Sequence, residues 1–209
     1  VVIAPDDLVK YLPLEMAQKG VVATQVPMGQ VEDLGLLKMD FLGLKNLSII
    51  STAHNIIEKS YGEVIDLAKM PLDDKAAYDL LSNGDSTGVF QLESAGMKRY
   101  LRELKPSSFE DIIAMVALYR PGPMQFIDSF IRRKHGEEEI TYLDSGMENA
   151  LKNTYGILVY QEQFMQISKE WCGFTGGQAD TLRKAVGKKK IDLMRKVKVD
   201  FVEGAIKTS

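Results

Sequence analysis

The rhythm of apolar positions changes once along this chain. Before about Gly43 they come in short blocks: Val1-Val2-Ile3-Ala4, Val21-Val22-Ala23-Thr24-Gln25-Val26 and Leu36-Leu37-Lys38-Met39-Asp40-Phe41. All three read as short strands, the second by its β-branched content. Between the first two blocks, Asp6 or Asp7 can cap a brief helix over 8–12. After Gly43 the spacing turns helical, starting with Leu44, Leu47, Ile50, His54 and Ile57 in a helix over 44–59. A helix beginning at Asp73 or Asp74 runs to about Leu81, where Asn83-Gly84 stops it. Further helices are predicted over 95–104, 109–119, 125–134, 147–153, 161–171, 177–186 and 191–206. Lys105-Pro106, Arg120-Pro121-Gly122-Pro123, Gly136 and 173–177 separate them. The pattern predicts an α+β, predominantly helical chain: a small α/β portion, then a helical array, with no internal repeat and a boundary near Gly43.

Composition narrows the function classes. With 209 residues, 45% hydrophobic and 26% charged, the chain can bury a sizeable core and is not disordered overall. Lys+Arg 26 against Asp+Glu 29 gives a net charge of −3, so nucleic-acid binding would have to come from local patches. Cys172 is the single cysteine and His54 and His135 the only histidines, which excludes a disulfide scaffold and argues against a Cys/His zinc site. The expected compartment is the cytosol. No apolar run approaches the roughly 18 residues that span a bilayer. The chain opens on Val1, although it holds ten methionines elsewhere, and its first residues read as a strand. The expectation is a piece of a longer protein.

Two stretches could carry chemistry. Side chains alternate on a strand, so within 36–41 Lys38 and Asp40 share one face. Residues two apart have Cα atoms roughly 6.5–7 Å apart. A carboxylate could then hold a metal while the ammonium touches a phosphate on the same metal. The same spacing also suits a solvated face with an ion pair worth at most about 1 kcal/mol. The second stretch is 173–190. From Gly177, Ala179, Leu182, Ala185 and Val186 form an apolar arc, with Arg183, Lys184, Gly187 and Lys188 opposite and Asp180 and Thr181 beside them. Basic residues continue through Lys188, Lys189, Lys190, Arg195, Lys196 and Lys198, opposed by Asp192. That concentration suits a polyphosphate or a nucleic-acid backbone; it equally suits a cation-favoured helix C-terminus with solvated lysines.

Lesser features are read more plainly. Tyr160, Phe164, Ile167 and Trp171 form a helical stripe that predicts core, leaving Gln161, Glu162 and Gln163 off it and able to face a cleft. Arg120 sits on a rigid turn, which is a helix stop that could also clamp a phosphate. The Asp6-Asp7 and Asp73-Asp74 pairs stand where helices begin, so capping explains them better than metal binding. Cys172 and both histidines lack nucleophile or metal spacing, and no Walker-type phosphate loop occurs.

Five segments carry a family resemblance. They are Gly35-Leu36-Leu37-Lys38-Met39-Asp40-Phe41-Leu42-Gly43-Leu44, then 88–94 (Gly-Val-Phe-Gln-Leu-Glu-Ser), 117–123 (Ala-Leu-Tyr-Arg-Pro-Gly-Pro), 155–163 and 179–189. Together, and in this order, they resemble the catalytic α subunits of bacterial DNA polymerase III, the C-family replicative polymerases. The resemblance covers nearly the whole chain. It implies short palm strands ending near residue 43, followed by an array of fingers helices over 44–209. It also implies that Asp40 is the third catalytic carboxylate and a ligand of one of two Mg²⁺ ions, with Lys38 beside the incoming triphosphate. Arg183 and Lys184, and more weakly Gln91, Arg120 and Gln161, would bind the nucleotide. Lys188, Lys189 and Lys190 would touch DNA backbone. The expected partners are primer–template DNA, deoxynucleoside triphosphates and other holoenzyme subunits, with no membrane. The family's other two carboxylates come from an Asp-x-Asp motif that this chain lacks, so the chain alone is expected to be inactive. The alternatives are a non-catalytic nucleotide- or nucleic-acid-binding module and a purely structural helical domain.

Overall fold

Short strands form within the three apolar blocks that predict them, joined by a partner that the sequence pattern did not mark. The computed structural model describes residues 1–187 and 191–208. They divide into two units, Val1–Asp66 and Leu67–Ser209. The first unit contains β1 (Val2–Ile3), β2 (Leu14–Ala17), β3 (Val21–Thr24), α1 (Met28–Asp33), β4 (Leu37–Lys38) and α2 (Lys45–Tyr61). β1 pairs antiparallel with β4, Val2 opposite Lys38. β2 and β3 form a second antiparallel pair, from Leu14 opposite Thr24 to Ala17 opposite Val21. Leu12, Val31 and Leu36 are buried together beneath them.

The predicted strand 36–41 is therefore reduced to two paired residues. One more backbone bond, Met39 N–H to the Val1 carbonyl at 2.8 Å, extends the frame to Met39. Asp7 precedes a 3₁₀ turn at Leu8–Lys10 but makes no side-chain cap; Asp6 pairs with Lys10 at 2.9 Å instead. The stripe predicted along α2 buries nothing within this unit: Leu47 is 62% exposed. The His54 ring nitrogen Nε2, 2.7 Å from the Ile65 carbonyl, ties the segment after α2 back to the helix.

The second unit contains α3 (Lys75–Ser82), α4 (Ala95–Leu104), α5 (Phe109–Leu118), α6 (Ile127–Lys134), α7 (Glu148–Leu151), α8 (Gln161–Glu170), α9 (Gly176–Gly187) and α10 (Ile191–Thr208). Caps explain their starts. Asp74 accepts from Ala77 N–H, Ser94 from Met97 N–H, and Ser108 with Asp111 forms a reciprocal capping box. The helix predicted from Gln125 begins at Ile127, because Pro123–Phe126 forms a 3₁₀ turn after Gly122, whose φ is +101°. One core holds Met97, Leu101, Leu104, Met115, Leu118, Ile127 and Phe130. A second joins Cys172, Phe174, Leu182 and Val197 with Phe164 and Phe201. Cys172 is 4% exposed, and burial pushes its thiol pKa up. Among the described residues no helix is long and apolar enough to cross a membrane.

Two charged knots lock the first core. Lys134 Nζ lies 3.1 Å from Asp111 Oδ2, with the two side chains 9% and 5% exposed. The same carboxylate oxygen accepts from Ser107 and Ser108 N–H at 2.9 and 3.2 Å. In the other knot, Glu138 Oε2 accepts from Arg132 and Oε1 from Arg133, both at 2.7 Å, and the Ser129 hydroxyl also donates to it. Arg133 Nη1 reaches on to the Tyr155 carbonyl at 3.0 Å. These donors, Ser129 first and then the two guanidiniums, lower the Glu138 pKa to about 2.

The two partners of the buried pair are expected to be unequal. Asp111→Ala strands an ammonium with the Ser107 hydroxyl as its remaining partner and should cost about 3–5 kcal/mol. Lys134→Met leaves a carboxylate that still accepts two backbone N–H bonds, so chemical denaturation should rank it clearly the milder. Glu138 gives a pH signature. A carboxyl whose folded pKa lies below its unfolded value stabilises the fold above that unfolded value, near 4.5, and loses the contribution as pH falls towards about 2. Melting temperatures from pH 6 to 2 should fall less steeply across that window in Glu138→Gln than in the wild type.

Candidate functional site

The first candidate group hangs from β4. Its ladder fixes Lys38, and the Val1–Met39 bond carries the frame one residue further, so Asp40 is the first side chain beyond the sheet. Lys38 Nζ lies 3.1 and 3.3 Å from the two Asp40 oxygens, a single ammonium bridging both. The pair is lopsided: the Lys38 side chain is 17% exposed and that of Asp40 81%. The ammonium is sheltered and the carboxylate is open to any ligand from solvent. Asp40 can thus supply one oxygen ligand to a metal, and the ammonium at its side can balance phosphate charge. Among the described residues no cluster of three or more His, Cys, Asp or Glu side chains is placed to hold an ion by itself.

The second group stands on α9. Thr175 and Gln178 cap the helix reciprocally: the Gln178 side-chain oxygen accepts from Thr175 N–H at 2.9 Å, and Thr175 Oγ1 accepts from Gln178 N–H at 3.4 Å. The Thr-x-x-Gln spacing carries that signature, although the helix was expected to start at Gly177. Ala179, Leu182 and Ala185 bury its apolar face as the wheel predicts; Val186 stays 44% exposed. Arg183 and Lys184 turn outward, but neither is unpaired. Arg183 Nη2 lies 2.8 Å from Asp180 Oδ1 and Lys184 Nζ 2.7 Å from Asp180 Oδ2. Lys184 first, then Arg183, holds the Asp180 carboxyl below its usual pKa. Sequence reasoning placed Asp180 beside these cations without giving it a role, though spacings of three and four residues on one helix are the signal for such pairs.

The remaining candidates are scattered. Gln161 is exposed in the first turn of α8, and Arg120 is exposed on the Tyr119–Pro123 turn. Gln163 does not face a cleft: it is 6% exposed, accepts from Val159 and Tyr160 N–H, and donates to the Ala150 carbonyl and Thr154 Oγ1. No hydrogen bond or ion pair among the described residues joins Gln91, Arg120, Gln161 and the Arg183–Lys184 pair to one another. Lys188, Lys189 and Lys190 lie outside the described residues. Lys38 and Asp40 belong to the first unit and the other candidates to the second.

Known proteins resemble the chain along its whole length. Residues 46–209 match the family described as the bacterial DNA polymerase III alpha subunit finger domain. Residues 1–43 match the bacterial DNA polymerase III alpha NTPase domain. DNA polymerase III subunit alpha of Aquifex aeolicus is 53% identical over 99% of the chain and 18% of its own length. That of Bacillus subtilis is 48% identical over 99% of the chain and 19% of its length, and that of Thermus aquaticus 49% over 98% and 17%. The chain therefore spans under a fifth of the relatives it matches.

Among the described candidates, Gln91 alone is held in a strained backbone. Its φ is +63°, in the left-handed region that side chains with a Cβ avoid. The surrounding loop is pinned from within: buried Ser86 donates to the Leu92 carbonyl at 2.5 Å, and Lys98 donates to Thr87 Oγ1 at 2.6 Å. The loop thus imposes the conformation and leaves the amide outside. Gln91→Gly should raise unfolding stability by about 1 kcal/mol, and Gln91→Ala should leave it nearly unchanged. Urea denaturation of the two variants checks this.

Proposed function

Because the chain belongs to the bacterial DNA polymerase III alpha subunit finger-domain family, we propose that it is part of a replicative DNA polymerase, ending the palm at residue 43 and beginning the fingers at 44–209. In the full-length parent the reaction is template-directed nucleotidyl transfer. The primer 3′-hydroxyl attacks the α-phosphate of a deoxynucleoside triphosphate, one P–O bond forms, the bond to the β-phosphate breaks, and pyrophosphate leaves. The observation that carries this reading is the end-to-end match of the chain to two adjoining regions of one subunit. DNA replication by a DNA-directed DNA polymerase, a nucleotidyltransferase, follows from that membership.

The site geometry supports distinct roles. The exposed Asp40 carboxylate would serve as one ligand in a two-Mg²⁺ centre, its oxygens shared with or released by Lys38. Bound Mg²⁺ would lower the pKa of the 3′-hydroxyl and neutralise charge on the phosphates. One carboxylate cannot hold two ions about 3.5–4 Å apart, so the centre needs ligands beyond the described residues, and the isolated chain would be inactive. Lys38, Arg183 and Lys184 would meet the charge that moves onto the leaving phosphates in the transition state. Gln91, Arg120 and Gln161 would bind the nucleotide, and Lys188 to Lys190 would track the DNA backbone. Primer–template DNA, deoxynucleoside triphosphates and other holoenzyme subunits are the partners, in the bacterial cytoplasm.

Asp40→Asn tests the central assignment in the full-length enzyme. The amide keeps the shape and removes the charge, so primer extension should fall by about 10²–10³ or more while the thermal midpoint holds. Near-normal turnover would leave Asp40 as a solvated strand residue in an ion pair and nothing else.

A further inference from the structure

Asp180 stands three and four residues before Arg183 and Lys184, which brings all three side chains onto one face of α9. Both carboxylate oxygens are committed: Oδ1 accepts from Arg183 Nε and Nη2 at 3.0 and 2.8 Å, and Oδ2 meets Lys184 Nζ at 2.7 Å. Between Gly176 and Gly187 there is no other charged residue, so one anion is shared by two cations. The three side chains are 37–57% exposed. Such pairs are weak and can exchange partners while the helix stays intact.

We propose that Asp180 is a positioning residue that competes with phosphate ligands for Arg183 and Lys184, keeping single phosphates off the helix and yielding the cations to a triphosphate. The proposal rests on the assignment of these two cations to the incoming nucleotide. A ligand that needs the pair must first displace the carboxylate, so its apparent affinity falls by the fraction of time the cations are free. A single phosphate offers little more than the carboxylate it replaces. A triphosphate brings oxygens enough to grip the planar guanidinium and the ammonium at once, and it has affinity to spare for the exchange.

The test uses the full-length polymerase, with inorganic tripolyphosphate and inorganic phosphate as probes. Asp180→Asn should bind both about two- to fivefold more tightly and lower the KM for deoxynucleotide without raising kcat; a merely structural loss would raise KM. Asp180→Glu, which restores a carboxylate within reach, should return both affinities towards wild type. Asp192→Asn removes the same charge from α10, where the carboxylate faces Arg195 at 3.7 Å, and should change neither. Competition is overturned if Asp180→Asn binds the probes no more tightly, or if Asp192→Asn tightens them equally. Arg183→Ala separates the two layers. If it binds tripolyphosphate as wild type does, the nucleotide assignment falls and competition with it. If it binds weakly while Asp180→Asn shows no gain, competition alone falls.

Discussion

The side-chain amide of Gln163 satisfies four groups at once. Its oxygen accepts from Val159 and Tyr160 N–H, both at 2.9 Å, and its nitrogen donates to the Ala150 carbonyl at 3.1 Å and to Thr154 Oγ1 at 2.7 Å. An apolar side chain of the same size would leave two backbone donors and a carbonyl unsatisfied beside the core, which costs more than the apolar contact returns. The amide fixes how the chain turns from α7 into α8. α8 in turn packs on α9, with Phe164 against the cluster that holds Leu182. The outward presentation of Arg183 and Lys184 is thus inherited from a neutral polar side chain on the preceding helix.

The same residue marks a limit of sequence reading. Gln163 falls off the Tyr160–Phe164–Ile167–Trp171 stripe, and a polar side chain off the stripe reads as solvent-facing; nothing local reveals that the 150–160 turn folds over it. Helices from α3 onward were legible because apolar periodicity and caps agree, as at Asp74, Ser94 and Ser108. The strand pairing was not. Leu14-Glu15-Met16-Ala17 has no β-branched residue and becomes β2 because β3 lies opposite it. At the candidate site, the shared face of Lys38 and Asp40 and the outward cations of α9 were readable from period alone. The lopsided exposure of the first pair and the saturation of Asp180 depend on neighbours in three dimensions.

Two carboxylates in the second unit each hold two cations, and the difference between them is instructive. Glu138 lies six and five residues after Arg132 and Arg133, beyond the end of α6, and adds the Ser129 hydroxyl; Arg133 continues to the Tyr155 carbonyl. Undoing that knot moves a turn and a neighbouring segment. Asp180 makes all its bonds within one helix. Its contacts can open by side-chain rotation, on a timescale far shorter than any unfolding. Equal stoichiometry therefore serves rigidity in one place and exchange in the other.

Cys172 closes the turn between α8 and α9 with its thiol enclosed among Phe174, Leu182 and Val197, while Gly204 of α10 lies so close that a Cβ there would strike the Cys172 carbonyl. Thiolate is the reactive form of cysteine, and both enclosure and the raised pKa suppress it. Since no other cysteine exists in the chain, the folded protein has no native competitor for thiol-directed dyes or spin labels. A reporter cysteine placed on the exposed face of α9 would be labelled selectively, with the wild-type background left in place.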